Sequence, residues 1–315
     1  MMTMNNGIVV VGSCMIDLVS YAPKLPRAGE TVLGTKFITG FGGKGANQCV
    51  AAAKLGGKTT FVARLGDDAW GHDYLKSLKE LKVDTTYVQI TPGCTSGVAP
   101  ITVDESGQNQ IVVISGANGR LNESDVASAA KAVSQAAVLV CQLETSINVA
   151  LEAIRLCKGI SILNGAPAIA NCDTRLLTSP TIFCVNETEA AVFTGLPVDS
   201  VSEAKIAIAE LLTRGCNTVI LTLGAQGALL ASKEQSEPVH VSAPKVTNVV
   251  DTTGAGDSFI GALAYLIAEF PKISLENQVG IACEIAAISV TKLGTQISFP
   301  TNEVLQKILK QRKLK

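Results

Sequence analysis

Ala137-Val138-Leu139-Val140-Cys141-Gln142 is a short apolar run closed by an amide, and the segments around it repeat its setting. A helix-period stretch at 123–135 precedes it. A second helix, 148–157, leads to a second short strand at 161–164. A third strand, 181–186, runs into a short helix at 187–194, and a helix at 202–214 precedes a strand at 218–223. Strands that are apolar along their whole length are buried on both faces. Strands that alternate with helices lie parallel, because each crossover helix returns the chain to the same end of the sheet. The expected fold is a three-layer α/β/α sandwich around a mainly parallel sheet.

Toward the N-terminus, Ile8-Val9-Val10-Val11 is the first strand, and after a break come a helix at 44–55, a strand at 59–64 and a helix at 69–81. The break carries Pro23, Pro26, Gly29, Gly34 and Gly40 around a weak alternation at 31–38. It reads as short strands outside the main sheet. So does 95–116, where runs at 97–103 and 110–114 flank the polar turn Asp104-Glu105-Ser106-Gly107-Gln108-Asn109 as a hairpin. Beyond 223 come a small β segment at 228–241 and helices at 256–269, 275–291 and 302–310. One α/β domain is expected, 1–315, with a small β-sheet lid inserted from about 18–41 and 95–116.

Hydrophobic residues make up 47% of the 315 residues and aromatics only 4%, so the core is aliphatic and alanine-rich. The net charge of −1, with no basic stripe before the tail at 307–315, argues against nucleic acid or a membrane surface as partner. Nine cysteines, without a C-x-x-C, sit mostly in apolar runs and read as small buried hydrophobes in a reducing compartment. No apolar run reaches the ~18 residues of a membrane span, and no leader precedes the first strand. A cytoplasmic protein is expected, with a nuclear fraction left open. The two histidines, His72 and His240, neighbour no nucleophile, so proton transfer falls to a carboxylate or a lysine.

Two glycine-rich segments carry the chemistry. Asp251-Thr252-Thr253-Gly254-Ala255-Gly256-Asp257-Ser258-Phe259 opens an apolar run that reaches Ala268. Free N–H groups at a helix N-terminus suit a phosphate or a developing oxyanion, and Asp257 suits a hydroxyl proton. The same residues also describe an acidic helix cap without chemistry. Gly40-Phe41-Gly42-Gly43-Lys44-Gly45-Ala46-Asn47-Gln48 likewise enters a helix and adds a cation and an amide. It matches G-x-G-x-x-G formally. However, it does not follow the first strand as a dinucleotide fingerprint does, and Lys44-Gly45 excludes a P-loop. Asp17, Glu144, Asn164, Asn186 and Thr222 fall at strand carboxyl ends, where open α/β sheets bind ligands.

With both segments in view, the chain resembles the ribokinase family of carbohydrate kinases, over residues 8–300 and in unbroken order. The family's G-G-x-x-x-N is Gly42-Gly43-Lys44-Gly45-Ala46-Asn47 here, and its D-T-x-G-A-G-D runs from Asp251 to Asp257. Its N-x-x-E is Asn186-Glu187-Thr188-Glu189, and its nucleotide loop is Thr222-Leu223-Gly224-Ala225-Gln226-Gly227. The resemblance implies transfer of the γ-phosphoryl of ATP to the 5-hydroxyl of D-ribose, giving ribose 5-phosphate and ADP. It implies that Asp257 is the base and that Gly254, Ala255 and Gly256 hold the transferring phosphoryl. Asp17, Gly43, Lys44, Gly45, Ala46, Asn47 and Glu144 would hold the sugar, with Met15 facing it where bacterial members often carry Asn.

Further roles follow from the same resemblance. Asn186 and Glu189 would organise the triphosphate and its Mg²⁺ through water. The loop Thr222, Leu223, Gly224, Ala225, Gln226 and Gly227 would border the nucleotide, with Gly256 and Asp257 at its phosphates and Cys283 at the adenine edge. Activation by K⁺ is implied at Asp251, Thr253, Ser289, Lys292, Gly294 and Ser298, and a homodimer through the lid. A 2-deoxyribose kinase stays open because Met15 offers no amide to a sugar hydroxyl; another sugar kinase or a nucleoside kinase of the same family are further alternatives, the latter without an aromatic cluster near Asp17 or Lys44 to stack a base. A non-catalytic sugar- or nucleotide-binding regulator is the alternative from another class, and the intact Asp257 argues against it.

Overall fold

The computed structural model describes residues 5–314; residues 1–4 and 315 of the expected 1–315 domain lie outside the described residues. β1 (Asn5–Val11) begins the main sheet, and the chain leaves it at once into β2 (Met15–Tyr21) and β3 (Lys36–Gly42) before α1 (Lys44–Lys54). β4 (Thr59–Gly66), α2 (Ala69–Glu80) and β5 (Asp84–Thr91) rejoin the main sheet, and β6 (Gly97–Val103) and β7 (Asn109–Ile111) leave it again. Then follow α3 (Glu123–Ser128), α4 (Ala130–Gln135), β8 (Ala136–Cys141), α5 (Ile147–Leu156), β9 (Ile160–Asn164), α6 (Arg175–Thr178) and β10 (Ile182–Asn186). The chain continues through α7 (Glu187–Thr194), α8 (Val201–Thr213), β11 (Thr218–Thr222), β12 (Ala228–Ser232) and β13 (Val239–Val241). α9 (Ala255–Glu269), α10 (Leu275–Ser289) and α11 (Asn302–Gln311) complete it.

Among the described residues, nine strands form one sheet in the order β13-β12-β11-β10-β9-β8-β1-β4-β5, and four form a second, β3-β2-β6-β7. Every pair from β11 to β5 is parallel, and β12 and β13 add an antiparallel hairpin at one edge. Side chains alternate between two cores. Ile8, Val10, Val138, Val140, Ile182 and Cys184 pack on the side of α1, α9 and α10. Val9, Val11, Leu139, Cys141, Phe183 and Val185 pack on the side of α5, α7 and α8. The inner strands are covered on both faces, and this is why they read as unbroken apolar runs. Six cysteines are buried with them, while Cys94, Cys157 and Cys172 are half-buried. Burial pushes the Cys49 thiol up to about 12, so it packs as a small hydrophobe. No helix among the described residues is long and apolar enough to cross a membrane.

Several expected boundaries shift. The helix expected at 123–135 is two helices, divided at Ala129 (φ −92°, ψ 5°), and the bend lets Val126 and Val133 both bury completely. The strand expected within 31–38 starts only at Lys36, after a stretch that includes Gly29 at φ 78°. The one expected at 110–114 ends at Ile111, apart from a single bridge between Val98 and Ile114. β5, an edge strand, and the short α6 were not legible: β5 mixes Thr, Tyr and Gln and is nowhere fully buried.

Two close approaches place the helices that matter. A Cβ at Gly45 would lie 2.5 Å from Ser13 N, so α1 begins directly on the end of β1. A Cβ at Gly261 would lie 2.5 Å from the Ala51 Cβ and 2.6 Å from Gln48 O, so α9 crosses α1 at backbone distance. Gly261→Ala should therefore cost about 1–3 kcal/mol by overpacking. Gly256→Ala, whose Cβ would meet nothing within 4 Å, should cost nothing. Urea denaturation of both variants checks this, and equal midpoints would show that the helices separate freely.

Candidate active site

β11, β10, β9, β8 and β1 are neighbours in that order, so Thr222, Asn186, Asn164, Gln142 and Ser13 line up along one end of the sheet. The chain passes from β1 toward β4 on one side, while β8 pairs with β1 on the other. That reversal opens a crevice at the carboxyl ends. α1 and α9 both start there. Gly43, the N-cap of α1, has φ 88° and no side chain to cap with. Glu144, after β8, does it instead: its Oε2 accepts the Lys44 N–H at 2.8 Å and the Ser13 hydroxyl. A carboxylate at a helix N-terminus is favoured by the exposed N–H groups and the dipole.

Asp257 sits in the first turn of α9 and is only 8% exposed. Two amides from α1 hold it: Asn47 Nδ2 donates to Oδ2 at 2.8 Å and Gln48 Nε2 donates to Oδ1 at 2.9 Å. Each amide is itself oriented from behind. Gln142 Nε2 donates to Gln48 Oε1 at 2.7 Å, and Gln296 Nε2 donates to Asn47 Oδ1 at 3.0 Å. Gln48 also donates to Asn164 Oδ1 at 2.9 Å. Burial raises the affinity of Asp257 for a proton, while Lys44 and the two amides lower it. Each oxygen retains a lone pair for one further hydroxyl.

A cavity of ≈ 180 Å³ opens beside Asp257, lined by Lys44, Asn164, Asn186, Glu189, Thr222 and the turn 254–256 among others. It is smaller than a pocket for a whole drug-sized ligand and matches a phosphate group or a few hydroxyls. Burial lowers the pKa of Lys44, but Asp257, Glu144 and Glu189 more than offset this and raise it, so the ammonium stays charged. Burial raises Glu189, against the Asn186 N–H and Lys44. Asp17, half-buried on β2 above Gly42, is lifted to about 6, first by burial and then by Glu144 and Asp257. One cation among four carboxylates is a site that attracts hydroxyl donors and a compensating cation.

The structure brings Asp17, Lys44, Asn47, Glu144, Asn186, Glu189, Thr222 and the start of α9 to one crevice. Other expected residues depart from it. Ala255 N–H already donates to Thr252 O at 3.2 Å, so at the start of α9 the N–H groups of Gly254, Gly256 and Asp257 are the uncommitted donors, with that of Thr252 before them. Ala46 is fully buried in the core with its N–H on Ser13 O at 2.9 Å, and Gly45 is sealed against β1; both support Lys44 rather than face the cavity. Gly224, Ala225 and Gln226 form an exposed turn that Leu223 and Gly227 close at 2.7 Å, outside the cavity lining. Cys283 is buried in α10 and does not line the cavity either. Met15 is 4% exposed, with its sulfur turned to Asn118 Nδ2 at 3.5 Å.

Asn186 and Glu189 form a reciprocal capping box, which explains their spacing of three. The box leaves Asn186 Nδ2 and one Glu189 oxygen toward the cavity. Gln48 is the residue that sequence reasoning missed most plainly. It lies four residues after Lys44, directly before the buried run Cys49-Val50-Ala51, and a second amide at the head of such a run is a usable signal.

The donor sets also decide which ions fit. Among the described residues no group of three or more His, Cys, Asp or Glu is placed to hold a metal. One free Glu189 oxygen suits Mg²⁺ held through its own waters, and the Asn186 Nδ2 donor suits a phosphate oxygen. The positions implied for K⁺ lie on two loops that meet. Val290 O accepts the Val250 and Asp251 N–H groups at 2.8 and 3.2 Å, and Asp251 Oδ2 accepts the Gly294 N–H at 2.9 Å. Thr253 N–H donates to Asp251 Oδ1 at 2.9 Å, and Lys292 N–H donates to Ser289 O at 3.3 Å. Ser289 and Ser298 donate their hydroxyls to Ala286 O and Thr295 O, leaving carbonyls and Asp251 as the donor set. Carbonyl oxygens suit K⁺, which exchanges its water shell for them.

Comparison with known proteins gives the family. The sequence model of the pfkB family of carbohydrate kinases matches residues 5–302. The chain is 46% identical to a ribokinase of Mus musculus over 296 residues, 93% of this chain and 91% of the relative. It is 40% identical to a deoxyribokinase of Salmonella typhi over 305 residues, 96% of this chain and 98% of the relative. The structure of an Arabidopsis thaliana ribokinase complexed with ribose and ATP superposes with a TM-score of 0.88 at 31% identity, covering 96% of this chain and 98% of that one. By the family match and these identities, the chain belongs to the pfkB family of carbohydrate kinases.

Proposed function

We propose that this chain is an ATP-dependent ribokinase, which moves the γ-phosphoryl of ATP onto the 5-hydroxyl of D-ribose. The observation that carries this reading is the ionisable Asp257, buried between two amide donors at the N-terminus of α9 and beside a phosphate-sized cavity. The relatives named ribokinase support the substrate. Asp257 accepts the proton of the 5-hydroxyl as that oxygen attacks. The uncommitted N–H groups of Gly254, Gly256 and Asp257 and the Lys44 ammonium meet the charge on the phosphoryl oxygens. Asp17, the free Glu144 oxygen and the Asn47 side of the crevice hold the other sugar hydroxyls, and α1 keeps them in register. Mg²⁺, when bound near Asn186 and Glu189, would offset charge on the ATP phosphates, and K⁺ between the loops at 250–253 and 289–298 would stiffen the glycine turn. The turn at 222–227 borders the nucleoside.

ADP release with Mg-ATP over ribose, 2-deoxyribose, fructose and adenosine, each in K⁺ or Na⁺, tests the reading. Ribose turnover raised by K⁺ is expected, with a loss of about 10²–10⁴-fold in Asp257→Asn while ATP still binds. Turnover of adenosine alone would move the chain to the nucleoside kinases, and unimpaired turnover in Asp257→Asn would remove the base. One observation favours a second substrate. Met15 keeps its sulfur on Asn118 and gives the sugar no amide, and a site that makes no hydrogen bond to a hydroxyl rejects its absence poorly, so 2-deoxyribose should react within about tenfold of ribose.

Asp17 makes sugar binding depend on pH. Its proton leaves as pH rises through about 6, and the anion is the better acceptor for two hydroxyls. KM for ribose should therefore climb as pH falls below about 6 and stay flat in Asp17→Asn, whereas a KM constant across the acid range in the unaltered enzyme would remove Asp17 from the sugar.

The outer lid exposes Phe37, Ile111, Val112 and Val113 at 61, 51, 63 and 60%, on a sheet whose edges β3 and β7 are unpaired. Free edges and apolar surface together favour a second copy as cover. Light scattering should give twice the chain mass, falling to one chain in Val112→Lys; a monomer at micromolar concentration would refute the pairing.

A further inference from the structure

Tyr74, Gln296 and Asn47 form a line of hydrogen bonds from the lid to Asp257. Tyr74 is fully buried on α2; its ring stacks on Phe41 of β3 with centroids 4.3 Å apart, and its hydroxyl donates to Gly42 O at 2.6 Å. Gln296, 7% exposed in the segment after α10, gives one N–H to the Tyr74 oxygen at 2.7 Å and the other to Asn47 Oδ1 at 3.0 Å. Asn47 passes its own N–H to Asp257. Lys54 holds the Gln296 carbonyl at 2.7 Å, so the main chain under the relay is also anchored.

The polarity of this line is set at its lid end. A backbone carbonyl accepts and never donates, so the Tyr74 proton belongs to Gly42 O and the Tyr74 oxygen must accept from Gln296. Gln296 therefore turns its NH₂ toward Asn47. Asn47 answers with its oxygen and presents its NH₂ to Asp257. That last donor is matched by a carboxylate in its ionised, acceptor-only state. With the polarity reversed, Asn47 would present its oxygen, and Asp257 would need a proton to meet it.

We infer that Gln296 is a positioning residue for phosphoryl transfer: together with Tyr74 it couples the seated lid strand to the ionised, aimed state of Asp257. This rests on Asp257 being the base. Lys44 of α1, Glu144 after β8, Asp17 of β2 and Glu189 of α7 also act electrostatically with Asp257, and substitution at 296 leaves them in place.

The test is the pH profile of kcat at saturating ribose, which leaves out the dependence of KM on Asp17, in the unaltered enzyme, Gln296→Met, Gln296→Glu and Tyr74→Phe. Gln296→Met removes the donors without adding charge. It should lower kcat about tenfold and move the acid limb up by about one unit, with KM for ATP unchanged. Gln296→Glu, an acceptor that reverses the line, should move the limb further. Tyr74→Phe should move it the same way, and it deletes a single oxygen, so it keeps the question answerable if the variants at 296 fail to fold. A fall in kcat with the limb unmoved in all three would reduce Gln296 to a structural role and overturn the inference. Unimpaired turnover in Asp257→Asn would overturn the base reading, and the relay would fall with it; these two failures are distinct on the same profiles.

Discussion

A carboxylate buried at the start of a helix is the constraint around which this molecule is arranged. Asp257 has lost most of its water, and an ionised group there is tolerable only if donors replace that water. Asn47 and Gln48 supply them, and they reach because α1 and α9 touch at Gly261 and the alanines of α1. Gln142 and Gln296 then orient those amides. An amide facing the wrong way would leave buried polar groups unmet at about 1–3 kcal/mol each. The helix contact, the amide pair and the carboxylate therefore stand or fall together, and the alanines where α1 meets α9 follow from the need for close approach.

The lid is tied to the same place. Its strands leave the main domain beside the crevice, and their roots are fixed by buried polar groups. Asn118 accepts the Cys14 N–H at 2.8 Å and donates to the Cys14 carbonyl at 2.7 Å, as a strand neighbour would. The Asp68 carboxylate accepts both the N–H and the hydroxyl of Ser96 at 2.7 Å. Rooted in this way, β2 carries Asp17 into the site while Met15 stays packed on Asn118 and the far ends of the lid strands remain exposed. A lid with fixed roots and exposed tips can cover a substrate and exclude water without disturbing the groups that bind it.

Much of this was legible from local pattern. The strands were legible because both their faces are apolar, and the strand-end residues Asn164, Asn186 and Thr222 because loops at that end of a parallel sheet meet the ligand. As a pair, Asn186 and Glu189 stood out only as the N-x-x-E of the family resemblance, and the folded chain shows that their spacing also makes a capping box. Tyr74 and Gln296 carried no such signal: their side chains meet although they stand 222 positions apart. Ala255 shows the opposite limit. Its place in the glycine segment is obvious, yet a four-residue turn takes its N–H, and turn closure depends on where Thr252 O is aimed.

Periodicity and glycine placement were sufficient for the α/β class, for a lid outside the main sheet and for two helices opening on backbone donors, because each of these is set by backbone and side-chain properties within a few residues. Only the folded chain decides the rest. The order β11-β10-β9-β8-β1 brings five strand ends together. Glu144 caps a helix a hundred residues before it, and the polarity of the amide line is set at Gly42 and felt at Asp257. A hydrogen bond has a donor end and an acceptor end, and which end a side chain presents is determined by the partner already beside it in space.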